Sequence, residues 1–251
     1  MTMLHYLIAI GFGVLPSFIW LSFYLKEDVH PEPKKWLILV FFLGMAVTPL
    51  VVVIEWAAIG LFSYLNLKSP EIFSPFLRDL VVIFIGVALV EEFFKYLAVR
   101  VAMKKNPVFD EPADAMIYMI VAALGFAAVE NIIVMNSFAP FLLAEIGQPL
   151  TTLAVRFIGA TFLHTLASGI IGFYYALSLV KKDYLEMRRR SPLIKGFILA
   201  ALLHGAFNYF IIILQEPLAI YFSIPLLIIA IYVLKDFKIL QKINPENFNN
   251  Q

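Results

Sequence analysis

Glu91 and Glu92 stand side by side, and Lys95 comes within one helical turn of them, inside the otherwise apolar run VALVEEFFKYLAVR, Val87–Arg100. Glu91 and Lys95 are spaced i, i+4, so on a helix they share a face and can pair. Glu92 is i, i+3 from Lys95 and about 100° round from Glu91. Three further apolar runs carry polar groups of the same kind. FAAVENI holds Glu130 and Asn131, RFIGATFLHTLASG holds Arg156 and His164, and LLHGAFNYF holds His204 and Asn208 on one helix face. A carboxylate in such a set can act as general base toward water, and Lys95 counters the second charge. A histidine can share the proton or pass one to a leaving amine. His204 and Asn208 can donate hydrogen bonds to a developing oxyanion. The set is sufficient for hydrolysis of an amide by activated water.

Other routes to the same chemistry are closed or unsupported. The chain has no cysteine, which excludes disulfides, thiolate metal sites and a cysteine nucleophile. No HExxH is present, and no serine sits in an evident nucleophile elbow. Three histidine or glutamate ligands can hold a catalytic zinc. The spacing lends that no specific support, so no cofactor is expected and zinc stays an open alternative.

The elements that must position these residues are membrane helices. Of 251 residues, 62% are hydrophobic and only 15% charged, with a mean hydropathy of +0.88. A soluble domain is nearer half apolar. An all-α, polytopic transmembrane bundle is predicted, with crossings near Leu4–Leu25, Trp36–Leu61, Leu80–Val101, Ala113–Met135, Leu150–Val180, Leu193–Leu214 and Leu218–Leu234. The first run lacks a basic leader and a cleavage site, so it reads as retained rather than as a signal peptide. Phe62–Asp79, with Pro70 and Pro75, reads as an interfacial or looped segment with room for an eighth, partial crossing. Residues 1–243 form one integral-membrane domain, and 244–251 a polar tail. The net charge of +1 points to no nucleic-acid partner.

Basic residues set the direction. They gather in Lys26–Lys35, Arg100–Lys105, Lys181–Lys195 and Lys235–Lys242, and are sparse in the alternate connections. By the positive-inside rule this places the N-terminus outside and the C-terminus in the cytoplasm. Glu91 then lies near the bilayer centre, where a lipid-facing charge costs about 2.5–3.5 kcal/mol. Four spans aim an ionisable group at about one level, so those groups must face a common wet or protein-lined space. Glu55 and Arg156 lie nearer the outer interface and read as snorkelling or structural. Gly125, Ser168, Gly169 and Gly172 read as small residues that let helices approach. Asp114 complements the dipole at a helix start.

The motifs EEFFK (Glu91–Lys95), FAAVEN (Phe126–Asn131), His164 and HGAFN (His204–Asn208), in this order on successive helices, resemble the PrsW family of intramembrane proteases. KEDVHPEP, before the second span, is similar to that family's first loop. The wider CAAX-protease and bacteriocin-processing superfamily has EExxxR, FxxxH and HxxxN. Here Lys95 stands one place earlier than the arginine, and Glu130 stands where the FxxxH histidine would be. That leaves the histidine's work to His164, with Glu130 a second acid or an orienting group.

The resemblance implies a glutamate-dependent endopeptidase of a prokaryotic plasma membrane. It would cut a single-pass membrane protein within the lipid bilayer, for example an anti-sigma factor in site-1 fashion. Glu91, Glu92, His164, His204 and Asn208 would be its catalytic residues, with Lys95, Glu130 and Asn131 supporting. Two other classes compete: a proton-coupled transporter or channel, and an inactive scaffold that binds a transmembrane helix. No internal repeat favours the transporter.

Overall fold

A computed structural model describes residues 3–68, 74–104, 106–138, 146–180, 192–214, 221 and 223–248. Among these there are nine α-helices and no strand beyond one isolated bridge between Val180 and Phe248. Helix α1 is Met3–Tyr24 and α2 is Lys34–Lys68. Helix α3, Pro75–Val81, runs through a π-helical stretch, Val82–Leu89, into α4, Val90–Met103. Helix α5 is Pro112–Phe138. Helix α6, Gly147–Arg156, runs through a second π-helical stretch, Phe157–Thr161, into α7, Phe162–Leu179. Helix α8 is Pro192–Leu214 and α9 is Ser223–Leu240. Helices satisfy their own backbone groups, which is what a bilayer demands of a spanning segment.

By length and composition, five of the described helical runs suit a membrane: Met3–Tyr24, Lys34–Leu65, Pro112–Phe138, Gly147–Leu179 and Pro192–Ile212. The run from Pro75 to Met103 is long but carries Glu91, Glu92 and Lys95; α9 carries Lys235, Asp236 and Lys238. Phe62–Asp79 departs from the looped reading. Helix α2 continues to Lys68, and the chain is helical again from Pro75. Proline at a first helical position costs no hydrogen bond, and the Ser74 side chain accepts from the Leu77 amide at 3.2 Å, so Pro75 starts a helix. Pro70, the basic loop Lys181–Arg190 and Leu218 lie outside the described residues.

Helix α5 is the axis of the bundle. It is apolar on every side, and Ala113 to Ala128 is buried throughout, as such a helix must be. Glycines let its neighbours close on it. A Cβ on Gly44 would collide with the Ala122 carbonyl, one on Gly125 with the Phe41 carbonyl, and one on Gly172 would stand 2.6 Å from the Met116 Cα. Helices α2 and α7 therefore meet α5 backbone to backbone.

At one end of the bundle, the loop between α1 and α2 is tied to the α4–α5 connection. His30 Nδ1 lies 2.7 Å from Glu111, and Tyr118 donates a short hydrogen bond to Glu32. The Asp28 carboxylate accepts from the His30 and Glu32 amides, each at 3.1 Å. The Glu111 carboxylate raises the pKa of His30 above its ordinary 6.5, while burial raises Asp28 and Glu32. The tail Asn244–Phe248 folds onto this end, with Phe248 packed edge-on to Phe109 at 5.5 Å.

This packing sets the response to substitution and to pH. Gly125→Ala should lower stability by about 1–3 kcal/mol through backbone overpacking, whereas Gly60→Ala, with nothing within 4 Å, should be neutral or better; thermal unfolding in detergent compares them. A raised folded-state pKa means stability that is present at low pH and lost as pH rises through that value. All three loop groups are shifted this way, so protection of residues 26–33 from amide exchange should fall as pH rises. The portion lost above pH 6.5 should shrink in His30→Gln.

Candidate active site

Four helices bring their polar groups to one place. Glu91, Glu92 and Lys95 occupy the first turns of α4, directly after the π-helical stretch Val82–Leu89. Glu130 and Asn131 come from α5, His164 and Ser168 from α7 after the second π-helical stretch, and His204 from α8. Such stretches rotate the downstream helix relative to the upstream one, and they recur at functional sites. Glu91, Glu92, Lys95, His164 and His204 are all at most 3% exposed.

Lys95 is the hub. Its Nζ lies 3.1 Å from Glu91 Oε2, 2.7 Å from Glu92 Oε1 and 2.8 Å from His164 Nδ1, and 4.4 Å from the centre of the Phe126 ring. An ammonium has three donors and no lone pair, so all three are used and His164 Nδ1 must accept. That assigns the proton to Nε2, which donates to Glu130 Oε2 at 2.8 Å. Glu92 is saturated: Oε1 also meets His204 Nδ1 at 3.0 Å, and Oε2 accepts from Ser168 Oγ at 2.7 Å. His204 thereby carries its proton on Nδ1 and turns Nε2 toward Glu91 Oε1, 3.8 Å away. Glu91 accepts from Lys95 at Oε2 and shares a side-chain hydrogen bond with Glu55 of α2, two partners against three for Glu92, so Glu91 is the less committed glutamate.

The sequence reading and the structure part company at several residues. Asn208, one turn beyond His204, is half-buried and makes no hydrogen bond to the cluster among the described residues, whereas both His204 nitrogens face glutamates. Ser168 is not just a small packing residue, because it anchors Glu92. Of the two readings of Arg156, the structural one fits: its Nε donates to Asn131 Oδ1 at 2.6 Å and its Nη2 to Glu130 Oε2 at 3.3 Å. Glu55 on α2 approaches Glu91, and its buried Oε1 has no hydrogen-bond partner among the described residues. The signal available for Arg156 was its apolar surroundings, since a charge within such a run seeks a buried partner. For Ser168 the signal was its i, i+4 spacing from His164, which puts the two on one face of α7.

The donor types suit a metal ion, which would have to compete with the Lys95 ammonium for Glu91, Glu92 and His164 Nδ1. One ligand atom from each of Glu91, Glu92, His164 and His204 lies within 4.8 Å of the others. Two carboxylates and two imidazoles match the ligand types of zinc. His164 also has the outer carboxylate, Glu130, that orients metal-binding histidines elsewhere.

Comparison with known proteins agrees with this chemistry. The family described as "PrsW family intramembrane metalloprotease" matches residues 32–234. The chain is 30% identical over 206 residues to Protease PrsW of Geobacillus kaustophilus, covering 81% of this chain and 79% of that one. It is 26% identical over 230 residues to Protease PrsW of Oceanobacillus iheyensis, covering 89% and 93%. With Protease PrsW of Bacillus subtilis it shares 25% identity over 220 residues, covering 87% and 88%. No solved structure matches. Apolar helices around a buried carboxylate–imidazole centre, together with these relatives, define a membrane-embedded peptidase. The chain belongs to the PrsW family.

Removing Lys95 leaves Glu91 and Glu92 buried with no cation on their own helix turn, and an orphaned buried charge costs about 3–5 kcal/mol. Lys95→Met should therefore lower stability by that order, read as a loss of folded protein in denaturant titration. The same change at exposed Lys34 is the control.

Proposed function

We propose that this peptidase hydrolyses a peptide bond of a single-pass membrane protein at the Glu91–Glu92–His164–His204 centre. The observation that carries the reading is the convergence of these four donors, from three helices, in a buried place. Glu91 is the carboxylate that takes a proton from the attacking water, since it has fewer partners than Glu92, which is held by Lys95, His204 and Ser168. Glu92 orients His204 and keeps Lys95 in place. His164, whose Nδ1 accepts from Lys95 and lies 3.7 Å from Glu91 Oε2 and whose Nε2 is tied to Glu130, relays the proton taken by Glu91 to the leaving amine. Asn208, outside the cluster's hydrogen bonds, offers its amide to the developing oxyanion, a part that His204, turned to the carboxylates, is poorly placed to share.

The family's description and the donor types also support an alternative to this proton-transfer scheme, a zinc-like ion held by Glu91, Glu92, His164 and His204, in which those side chains would serve as ligands rather than as proton carriers. Three carboxyl groups (Glu91, Glu92, Glu130) stand near two permanent cations, Lys95 and Arg156, and a bound cation would balance the excess. Such an ion would supply Lewis-acid polarisation of the scissile carbonyl.

The distribution of basic residues supports seven crossings with the N-terminus outside and the C-terminus in the cytoplasm of a bacterial plasma membrane. The polar centre would then lean to the outer half, suited to a first cut on the outer side of a substrate such as an anti-sigma factor.

The test is cleavage of a single-pass substrate by purified protein in liposomes. Wild type should yield two fragments. Glu91→Gln, His164→Ala and His204→Ala should each lose about 10²–10⁴-fold in kcat, the usual scale of an acid–base group. Undiminished cleavage by all three would reject the assignment. On the metal alternative, chelation should abolish cleavage and added zinc restore it; activity indifferent to chelator would remove the metal and leave the carboxylate mechanism.

A further inference from the structure

We infer that Arg156 is a positioning residue for His164, acting through a forked hold on Glu130 and Asn131. The inference rests on the reading that His164 works at the glutamate pocket. Two guanidinium nitrogens are committed to two neighbouring side chains of α5: Nε to Asn131 Oδ1 at 2.6 Å and Nη2 to Glu130 Oε2 at 3.3 Å. The same Glu130 oxygen receives His164 Nε2 at 2.8 Å. Arg156 thus fixes the carboxylate that fixes the imidazole, and the imidazole turns its Nδ1 lone pair to Lys95 and the glutamates.

A second link runs through the backbone. Arg156 is the last residue before the π-helical stretch Phe157–Thr161, and Thr161 is its end. Asn131, fully buried, holds both: it accepts from Arg156 Nε and donates from Nδ2 to Thr161 Oγ1 at 3.0 Å. His164 comes three residues later, so the rotation of its helix face depends on how that stretch is wound. Stapling its two flanks to one asparagine holds the winding. A lysine could supply the charge but not the fork, because an ammonium cannot present two coplanar N–H groups to two partners.

The experiment uses the full chain in nanodiscs with ¹⁵N-labelled histidine, assigned by subtraction of His164→Ala, with and without chelator. Wild type should show His164 as a single Nε2–H tautomer, fixed by Lys95 at Nδ1. Arg156→Met should give a mixture, because a ring no longer held at Nε2 can turn its Nδ1 away from Lys95, and so should Glu130→Gln. The double variant should be no worse than Glu130→Gln alone, because both act on one ring. With substrate, Arg156→Met should lose about 10–100-fold in kcat at near-constant KM, and Arg156→Lys should fall between. A single tautomer in Arg156→Met, or losses that multiply in the double variant, would overturn the inference. If Arg156→Met does not fold, Arg156→Lys decides: a mixed ring population supports the positioning role, and an unchanged single tautomer refutes it. The tautomer is read without any cleavage, so failure of the peptidase reading would show separately, as a wild type that cuts nothing.

Discussion

The Lys95 ammonium is the interaction on which the site depends. Taking a carboxylate or an ammonium out of water costs several kcal/mol per ion, and only dense pairing offsets it. Lys95 meets that demand for two glutamates at once and spends its third donor on His164 from another helix. Its alkyl stem crosses an apolar interior, and the Phe126 ring covers its head. A half-satisfied polar network would be worse than an apolar core, which explains why every hydrogen of this ammonium is used. The same saturation assigns the His164 tautomer, so charge neutralisation and catalytic geometry are one arrangement.

Around that hub the two glutamates diverge. Glu92 is held from three directions, by lysine, histidine and serine, and behaves as framework. Glu91 is held more loosely, by Lys95 and by Glu55 from α2, with His204 Nε2 3.8 Å away. Adjacent residues of one type thus have different chemistry because a helix sends them to faces about 100° apart. The outward edge is different again. Glu130 and Arg156 keep 25% and 21% of their side chains exposed, so the network grades from a dry centre to a wetter rim.

The scaffold holds this network with close backbone contact and local irregularity. Glycines at the α2–α5 and α5–α7 crossings bring helices within backbone reach, which leaves little slack in their rotation. The two π-helical stretches precede the two helices that carry Glu91 and His164. Gly205 admits the Phe84 ring of the first stretch, and Gly159 of the second faces Phe207, so α8 is packed against both.

Much of this was legible in the chain itself. Long apolar runs, the charges inside them, and the i, i+4 spacing of Glu91 with Lys95 are local properties, and a helix converts them directly into a shared face. The ordered motifs on successive runs pointed to the right family for the same reason. Other features belong only to the fold. No spacing says that Lys95 reaches His164, that Arg156 turns inward to Glu130, or that Ser168 binds Glu92, because each depends on the relative rotation of separate helices. That rotation is set by π-helical winding and glycine contacts far apart in sequence. His204 and Asn208 share a face by periodicity, yet only the neighbours on α4 decided that the histidine meets carboxylates while the asparagine stays outside the cluster. The chain alone determined which groups would be buried in the bilayer; the tertiary structure decided which of them touch, since contact between helices is a non-local property that periodicity cannot encode.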